Sequence, residues 1–551
     1  MIGRINTFFR RLRKKLSRSE WSLRLLGLST SRETATEPGV VIIQVDGLAY
    51  TQLLNGLKGN RLPFVDSLLR DHKFSLRPLY SGQPSTTPAV QGELFFGVKT
   101  AVPAFEFIER SLKRRLPMYS YEAADLVAGE LSGSGGSPLL AGGSSYANFY
   151  RGGAAEARYC VQSMNLKSLL RAARPLNFLV ILLLHFPKFI RMFGEALLEF
   201  LLSISDFFQG ILQGKNLAKE LKFIPTRVLL CILLREMIRF RVKMDVARGL
   251  PVVHANLNGY DEQSHRRGPD SRFAHWSLKG IDDVLGDIYR TALRSDCRAY
   301  RLIVYSDHGQ ENVKSYRQEM GKSLHQAVRE VVLDNCSNNR VCPSFPEPKA
   351  DRRWHLRIRS LFRPLRRSSQ ESFLSPWLDQ VETTSMGPIG HVYLPRPIPV
   401  HELRQLARDL VQKANIPLVL FLEGQNVKAV TRQGLHDLVS AGPEMLGSRH
   451  PFLEDTIRDL SRVCLHKNAG DLVVSGWSPD QPPLTFSIES GAHGGPGPEE
   501  TRGFVLLPMM VDDQRSYLRP LDVRHHVLDL LQKHRPSLRS TAPGKKSEPR
   551  L

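Results

Sequence analysis

Three apolar, β-branched runs, each closing on an aspartate, constrain this chain more than any other feature. They are "PGVVIIQVDGLA" with Asp46, "PVVHANLNGYDEQSH" with Asp261 just past the apolar residues, and "YRLIVYSDHG" with Asp307 and His308. Near-continuous apolar runs fit strands buried on both faces, as in parallel sheets. Helical patterns such as "FAHWSLKGIDDVLGDIYRTAL" lie between them. Strands alternating with helices predict an α/β domain with a mostly parallel central sheet and helices on both faces. Ligands of such sheets bind beyond the carboxyl ends of the strands, where all four residues fall.

The chain has 551 residues, 42% of them hydrophobic, enough for one large domain with insertions or for several smaller ones. Lys and Arg outnumber Asp and Glu 76 to 54, a formal +22. That excess favours anionic partners: phosphates, acidic lipid head groups or nucleic acid. The six cysteines, Cys160, Cys231, Cys297, Cys336, Cys342 and Cys464, form no CxxC pair and read as free thiols in a reducing compartment.

The organisation expected is a basic, amphipathic N-terminal arm over 1–36, a catalytic domain over 37–520 and a C-terminal tail over 521–551. The arm has neither an apolar core run nor a small-residue cleavage site, so it is not expected to act as a secretory signal. Two insertions interrupt the domain. In the apolar helical one, 171–249, the run "FLVILLL" is too short to span a bilayer. Beyond it Lys188, Arg191, Glu195, Glu199 and Asp206 form one charged stripe on an otherwise apolar helix, which is expected at a membrane interface. A second helix, "TRVLLCILLREMIRF", is expected to pack on the core. The other insertion, 345–380, is strongly basic and reads as a solvated loop able to meet anionic lipid. "LSGSGGSPLLAGGSS" reads as a flexible loop, without the Gly-Lys-Ser/Thr ending of a nucleotide P-loop.

Chemistry-bearing residues cluster around the strand ends. Asp261 and His265 stand four apart, a spacing that reaches one metal across a helical turn. "ESGAHGGPGPEE" offers His493 between glycines. With Asp46, Asp307 and His308 these make three aspartates and three histidines, enough for two metal sites. Two cations suit phosphoryl or sulfuryl transfer, and "SGQPSTTPAV" supplies Thr86 and Thr87 as hydroxyl nucleophiles that metal coordination could activate.

"VDG", "TTP", "YDEQSHRRGP", "SDHG" and "GAHGG", in this order, resemble the alkaline phosphatase superfamily, and within it the type I phosphodiesterase/nucleotide pyrophosphatase branch. The resemblance covers roughly 40–110, 250–312 and 385–510. It implies two zinc ions, or manganese. Asp261, His265 and His493 would hold one, and Asp46, Asp307 and His308 the other, beside a nucleophile two positions before Pro88, which is Thr86. Two departures matter. "FFGVKTAVPAFEF" lacks the family's His-Gly, which weighs against a nucleotide substrate. Thr86 is followed four positions on by Val90 rather than the Arg of sulfatases, which weighs against sulfatase chemistry.

The expected activity is therefore two-metal hydrolysis of phosphate diesters through a phospho-threonine intermediate, on a substrate at a membrane surface. Rivals are a head-group transferase, a phosphomonoesterase, and an inactive membrane- or nucleic-acid-binding protein; nucleic acid is the disfavoured partner. The expected location is cytoplasmic and peripheral to the inner face of the membrane.

Overall fold

The first apolar run forms strand β1 (Gly39–Val45), buried along its whole length. The structure, a computed structural model, describes residues 37–71, 73–134, 137–163, 186–212, 228–336, 381–509 and 515–532. The N-terminal arm, "FLVILLL" and the basic insertion over 345–380 lie outside them. After β1 the chain forms β2 (Phe74–Tyr80), β3 (Ser144–Tyr146), β4 (Glu156–Arg158), β5 (Val252–Leu257) and β6 (Tyr300–Tyr305). Then come β7 (Glu382–Met386), β8 (Ile389–Tyr393), β9 (Leu418–Glu423), β10 (Asn426–Thr431), β11 (Gly434–Asp437), β12 (Leu472–Ser475) and β13 (Arg502–Pro508).

Seven strands form the central sheet in the order β2-β13-β6-β1-β5-β3-β4. β1 pairs in parallel with both β5 and β6, and β13 runs antiparallel to its two neighbours. The sheet is thus mostly parallel, as the apolar runs predict. Register matters more than topology for the site. Val45 lies opposite Leu257 and Gln44 opposite Tyr305, so the three runs end level with one another. Asp46, Asp261, Asp307 and His308 therefore leave the sheet at one edge.

Because side chains alternate across a strand, β1 feeds two cores. Val41, Ile43 and Val45 pack on one face with Val242 and Ile281. Those residues come from α3 (Arg235–Arg248) and α5 (Arg272–Leu293), named in the series α1 (Thr87–Phe96), α2 (Phe186–Leu212), α3, α4 (Gly259–Arg267), α5, α6 (Leu453–Leu465) and α7 (Pro520–Gln532). Val40 and Ile42 pack on the other face with Val90 and Leu94 of α1 and Val523 and Val527 of α7. Helices cover both faces, and the second apolar helix, as α3, packs on the core as expected.

Two expectations are corrected, and one feature is new. The presumed tail begins as α7, whose Arg524 donates to the carbonyls of Leu94 and Phe95 at 3.3 and 2.8 Å and so closes the end of α1. Residues 520–532 thus belong to the catalytic domain. The Gly/Ser-rich stretch is no free loop: Leu139 and Leu140 are buried, Leu139 N–H donates to Phe95 O, and the stretch runs into β3. Finally, a second sheet, antiparallel in the order β7-β8-β12-β9-β10-β11, stands beside the first with its own core of Val392, Val419, Leu472 and Val474. No reading of the sequence anticipates it. No helix among the described residues is long and apolar enough to cross a membrane.

Candidate metal centre

Each run delivers its side chain differently. Asp46 follows β1 directly, and Gly47, at φ +70°, turns the chain. A Cβ on Gly47 would stand 2.6 Å from Asp261 Oδ1, so only glycine lets the two loops meet. Asp261 and His265 sit on α4, one helical turn apart as their spacing predicts, with His265 Nε2 3.4 Å from Asp261 Oδ1. Asp307 and His308 follow β6. Gly309 follows them, and a Cβ there would lie 2.1 Å from Glu499 O. Close approach, not a left-handed backbone, excludes a side chain at that position.

His308 Nε2 is 3.3 Å from Asp307 Oδ2 and 3.7 Å from Asp46 Oδ1, and His493 Nε2 is 3.9 Å from Asp261 Oδ1. The His308 and His493 rings stack at 3.7 Å between centroids. Among the described residues two groups emerge whose ligand atoms all lie within 4.8 Å of one another: Asp46, Asp307 and His308; and Asp261, His308 and His493. The first group is the trio expected from the sequence. The second has His308 where His265 was expected. His265 stands just behind, its ring centroid 5.0 Å from that of His493.

The histidines show whether metal ions fit. Nδ1 of His265 faces Gly491 O at 3.0 Å, Nδ1 of His308 faces Gly309 O at 2.9 Å, and Nδ1 of His493 faces Ser85 O at 2.9 Å. A carbonyl only accepts, so each Nδ1 carries a proton, and Nε2 is the atom turned to the carboxylates and able to ligate a metal once it is free of a proton. Metal-ligating histidines are oriented in this way. Asp307 Oδ2 is buried without a hydrogen bond, a further opening for a cation. The set fits two divalent ions; nitrogen and oxygen donors do not choose between zinc and manganese.

The electrostatics without metal agree. Burial works against charge on His265, but Asp261 and Glu489 outweigh it and raise its pKa. Burial likewise opposes charge on Asp261, yet His265 overrides it and holds the carboxyl well below the usual range. Burial, together with His308, pushes His493 well down, so it stays neutral and ready to ligate. A cation arriving beside Asp261 would displace the proton now held by His265.

The two threonines part company. Thr87 Oγ1 lies 3.2 Å from His308 Nε2 and donates to Asp46 Oδ1 at 3.4 Å. Thr86 stands at the N-terminus of α1, with its buried hydroxyl making no hydrogen bond. The loop carrying them is tied to the His493 loop: Ser85 Oγ donates to Gly495 O and accepts from Gly494 N–H, both at 2.9 Å.

Sequence reasoning missed the supports. Asn256 and Asn258 donate to Asp46 Oδ2 at 2.8 and 2.5 Å. Gln310 donates to Asp261 Oδ1 at 2.6 Å. Glu500 accepts from the N–H groups of Gly495 and Gly497 at 2.8 and 2.9 Å. Two asparagines bracketing the end of an otherwise apolar strand were the legible signal, since a buried amide needs a partner.

Residues 235–394 match the family model for type I phosphodiesterase / nucleotide pyrophosphatase. The resemblance read from the motifs stands. The matched span contains Asp261, His265, Asp307 and His308, whereas Asp46, Thr86 and His493 come from outside it. The match makes the chain similar to that family over this span. Phosphonoacetate hydrolase from Sinorhizobium meliloti 1021, solved with phosphonoformate, aligns over 92% of this chain and 99% of its own at 13% identity and a TM-score of 0.44. An inactive variant of murine ectonucleotide pyrophosphatase / phosphodiesterase 5, solved with AMP, aligns over 90% and 95% at 10% identity and a TM-score of 0.43. These likenesses are distant and carry no substrate across to this chain. The comparison with curated proteins gives no match.

Proposed function

We propose that this protein is a two-metal phosphodiesterase that works through a phospho-threonine intermediate on a substrate held at a membrane surface, from the cytoplasmic side. The observation that carries the metal part is the shared orientation of three histidines, each with Nδ1 on a backbone carbonyl and Nε2 toward buried carboxylates. Asp46, Asp307 and His308 would hold one ion, and Asp261 and His493 the other, with His265 completing or backing that set. Ions there would polarise the phosphoryl oxygens and neutralise charge that builds up on the attacking and leaving oxygens.

Thr86 is the nucleophile in this reading. Its hydroxyl makes no hydrogen bond, while that of Thr87 is engaged by Asp46 and His308. Its place at the start of α1 favours negative charge on the attacking group. Thr86 Oγ attacks phosphorus in line, the P–O bond to the leaving alcohol breaks, and water then cleaves the phospho-threonine. Thr87 is the specific alternative, since its hydroxyl touches the first metal group. The test is hydrolysis of nitrophenyl mono- and diesters and of lipid phosphodiesters, with zinc and with manganese. Thr86→Ala should abolish turnover with metal content intact, and Thr87→Ala should be mild. The reverse result assigns Thr87. A fully active, metal-free preparation would overturn the two-metal reading.

A further inference from the structure

Helix α2 is inside out. Of its charged stripe, Arg191 donates to Asp283 of α5 at 2.5 Å and to Glu195 at 2.8 Å, and Glu195 accepts from Arg235 of α3 at 2.6 Å. Glu199 and Ser203 are buried. Glu195, Glu199 and Ser203 are therefore turned to the protein, and Arg191 reaches back to it. The opposite face is a row of large apolar side chains spaced by three or four residues: Phe186, Ile190, Phe193, Leu197 and Leu201, of which Phe193 is 71% exposed. A surface helix of a globular protein ordinarily buries its apolar stripe. Here ion pairs to α3 and α5 hold that stripe outward.

We infer that the outer face of α2 is a membrane-docking surface that beds into the head-group and acyl boundary of an anionic lipid layer. The inference deepens the membrane part of the reading above and names the element responsible. The occupant follows from shape and charge. The row runs from Phe186 to Leu201 without a charged member, as a lipid surface requires. In sequence, Lys167, Arg171 and Arg174 precede the helix without an acid from 164 to 185, and Lys215, Lys219, Lys222 and Arg227 follow it with only Glu220 opposed. A sequence that is basic on either side of an apolar helix complements anionic head groups.

The position of α2 also fits. It packs on a π-helical turn, Leu229–Leu234, which packs in turn on α4, the helix of Asp261 and His265. Within that turn Cys231 Sγ lies 3.6 Å from Gly259 O and 3.4 Å from Gln263 Nε2. One packed layer thus separates the lipid-facing helix from a helix of the metal centre.

The test uses the full-length protein and phosphatidylcholine vesicles with and without phosphatidylglycerol. The protein should sediment with the anionic vesicles and be partly released by salt. Phe193→Ser combined with Leu197→Ser should cut the bound fraction about tenfold or more, because stable attachment needs an apolar signal as well as a charged one. Leu293→Ser with Val439→Ser, on exposed apolar residues elsewhere, should leave binding unchanged. Phe193→Trp keeps the face apolar, and its fluorescence should shift blue and be quenched by brominated acyl chains. Binding by the Phe193/Leu197 variant equal to that of the parent, or an unquenched tryptophan, overturns the inference. So does a dimer in sedimentation velocity that the variant dissociates, without vesicle binding. None of these readouts requires turnover, so failure of the metal chemistry and failure of the docking face are distinguishable.

Discussion

At the sheet edge, Asp46, Asp261, Asp307, His308 and His493 are charged or polar groups at most 9% exposed; on α2, Phe193 and Ile190 are apolar groups 71% and 57% exposed. Both regions reverse the usual placement of polarity, and they are held in opposite ways. The buried charges are stabilised locally: each carboxylate meets a histidine, an amide or a backbone N–H, and each histidine meets a carbonyl. The exposed apolar row is held at a distance, by ion pairs on the far side of its own helix. A site that must bind ions has to be rigid before the ion arrives. A face that must enter lipid has only to be presented.

The sharpest way to break this contrast is to remove one buried ligand. Asp307→Asn or His308→Ala should lower turnover on a soluble diester by on the order of a thousandfold, since an ion at such a site is worth several kcal/mol to the transition state. Metal analysis should show ions lost as well. Normal metal content and normal rate in both variants would remove these residues from the centre.

Next in size is a buried charge away from the metals. Arg519 is 9% exposed and binds Glu93 of α1 at 2.8 Å and Asp459 of α6 at 3.0 Å. Arg519→Met leaves Glu93 buried without its cation, while Asp459 keeps Arg462, and should destabilise the fold by about 3 kcal/mol in denaturant titrations. A loss below about 1 kcal/mol would mean that water reaches the pair.

A third test is pH. Burial, reinforced by the Glu311 carboxylate, pushes Glu500 up from 4.5 to about 8. The folded state then holds a proton that the unfolded chain releases. This contribution is complete below pH 4.5 and lost as pH rises through 8. Melting of the metal-free protein should fall across that window, and Glu500→Gln should flatten the fall. The smallest effect belongs to α2. In buffer without lipid, Phe193→Ser with Leu197→Ser should change stability by no more than about 0.5 kcal/mol, because exposed side chains lose no packing. A large loss would show that the row is covered by the protein itself.

How far sequence reasoning reaches differs between these regions for a physical reason. Strand burial is written locally: consecutive apolar residues in β1, β5 and β6 can only be strands covered on both faces, and register then brings Asp46, Asp307 and His308 together. The i, i+4 spacing of Asp261 and His265 is likewise settled by the pitch of α4. The antiparallel second sheet was not legible, because its strands have mixed patterns and are stabilised by partners far along the chain. Nor could spacing decide that His308, rather than His265, lies close to His493, since that depends on how the loop of 491–497 folds over Ser85.

The sequence by itself determined that three aspartates gather at one sheet edge and that one helix carries a charged stripe along an apolar cylinder. Only the tertiary structure decided that the stripe faces inward. A helical pattern states the angle between two faces but not which of them meets the protein. That choice was made by Asp283 and Arg235, on other helices, which reach the charges and leave the apolar row outside.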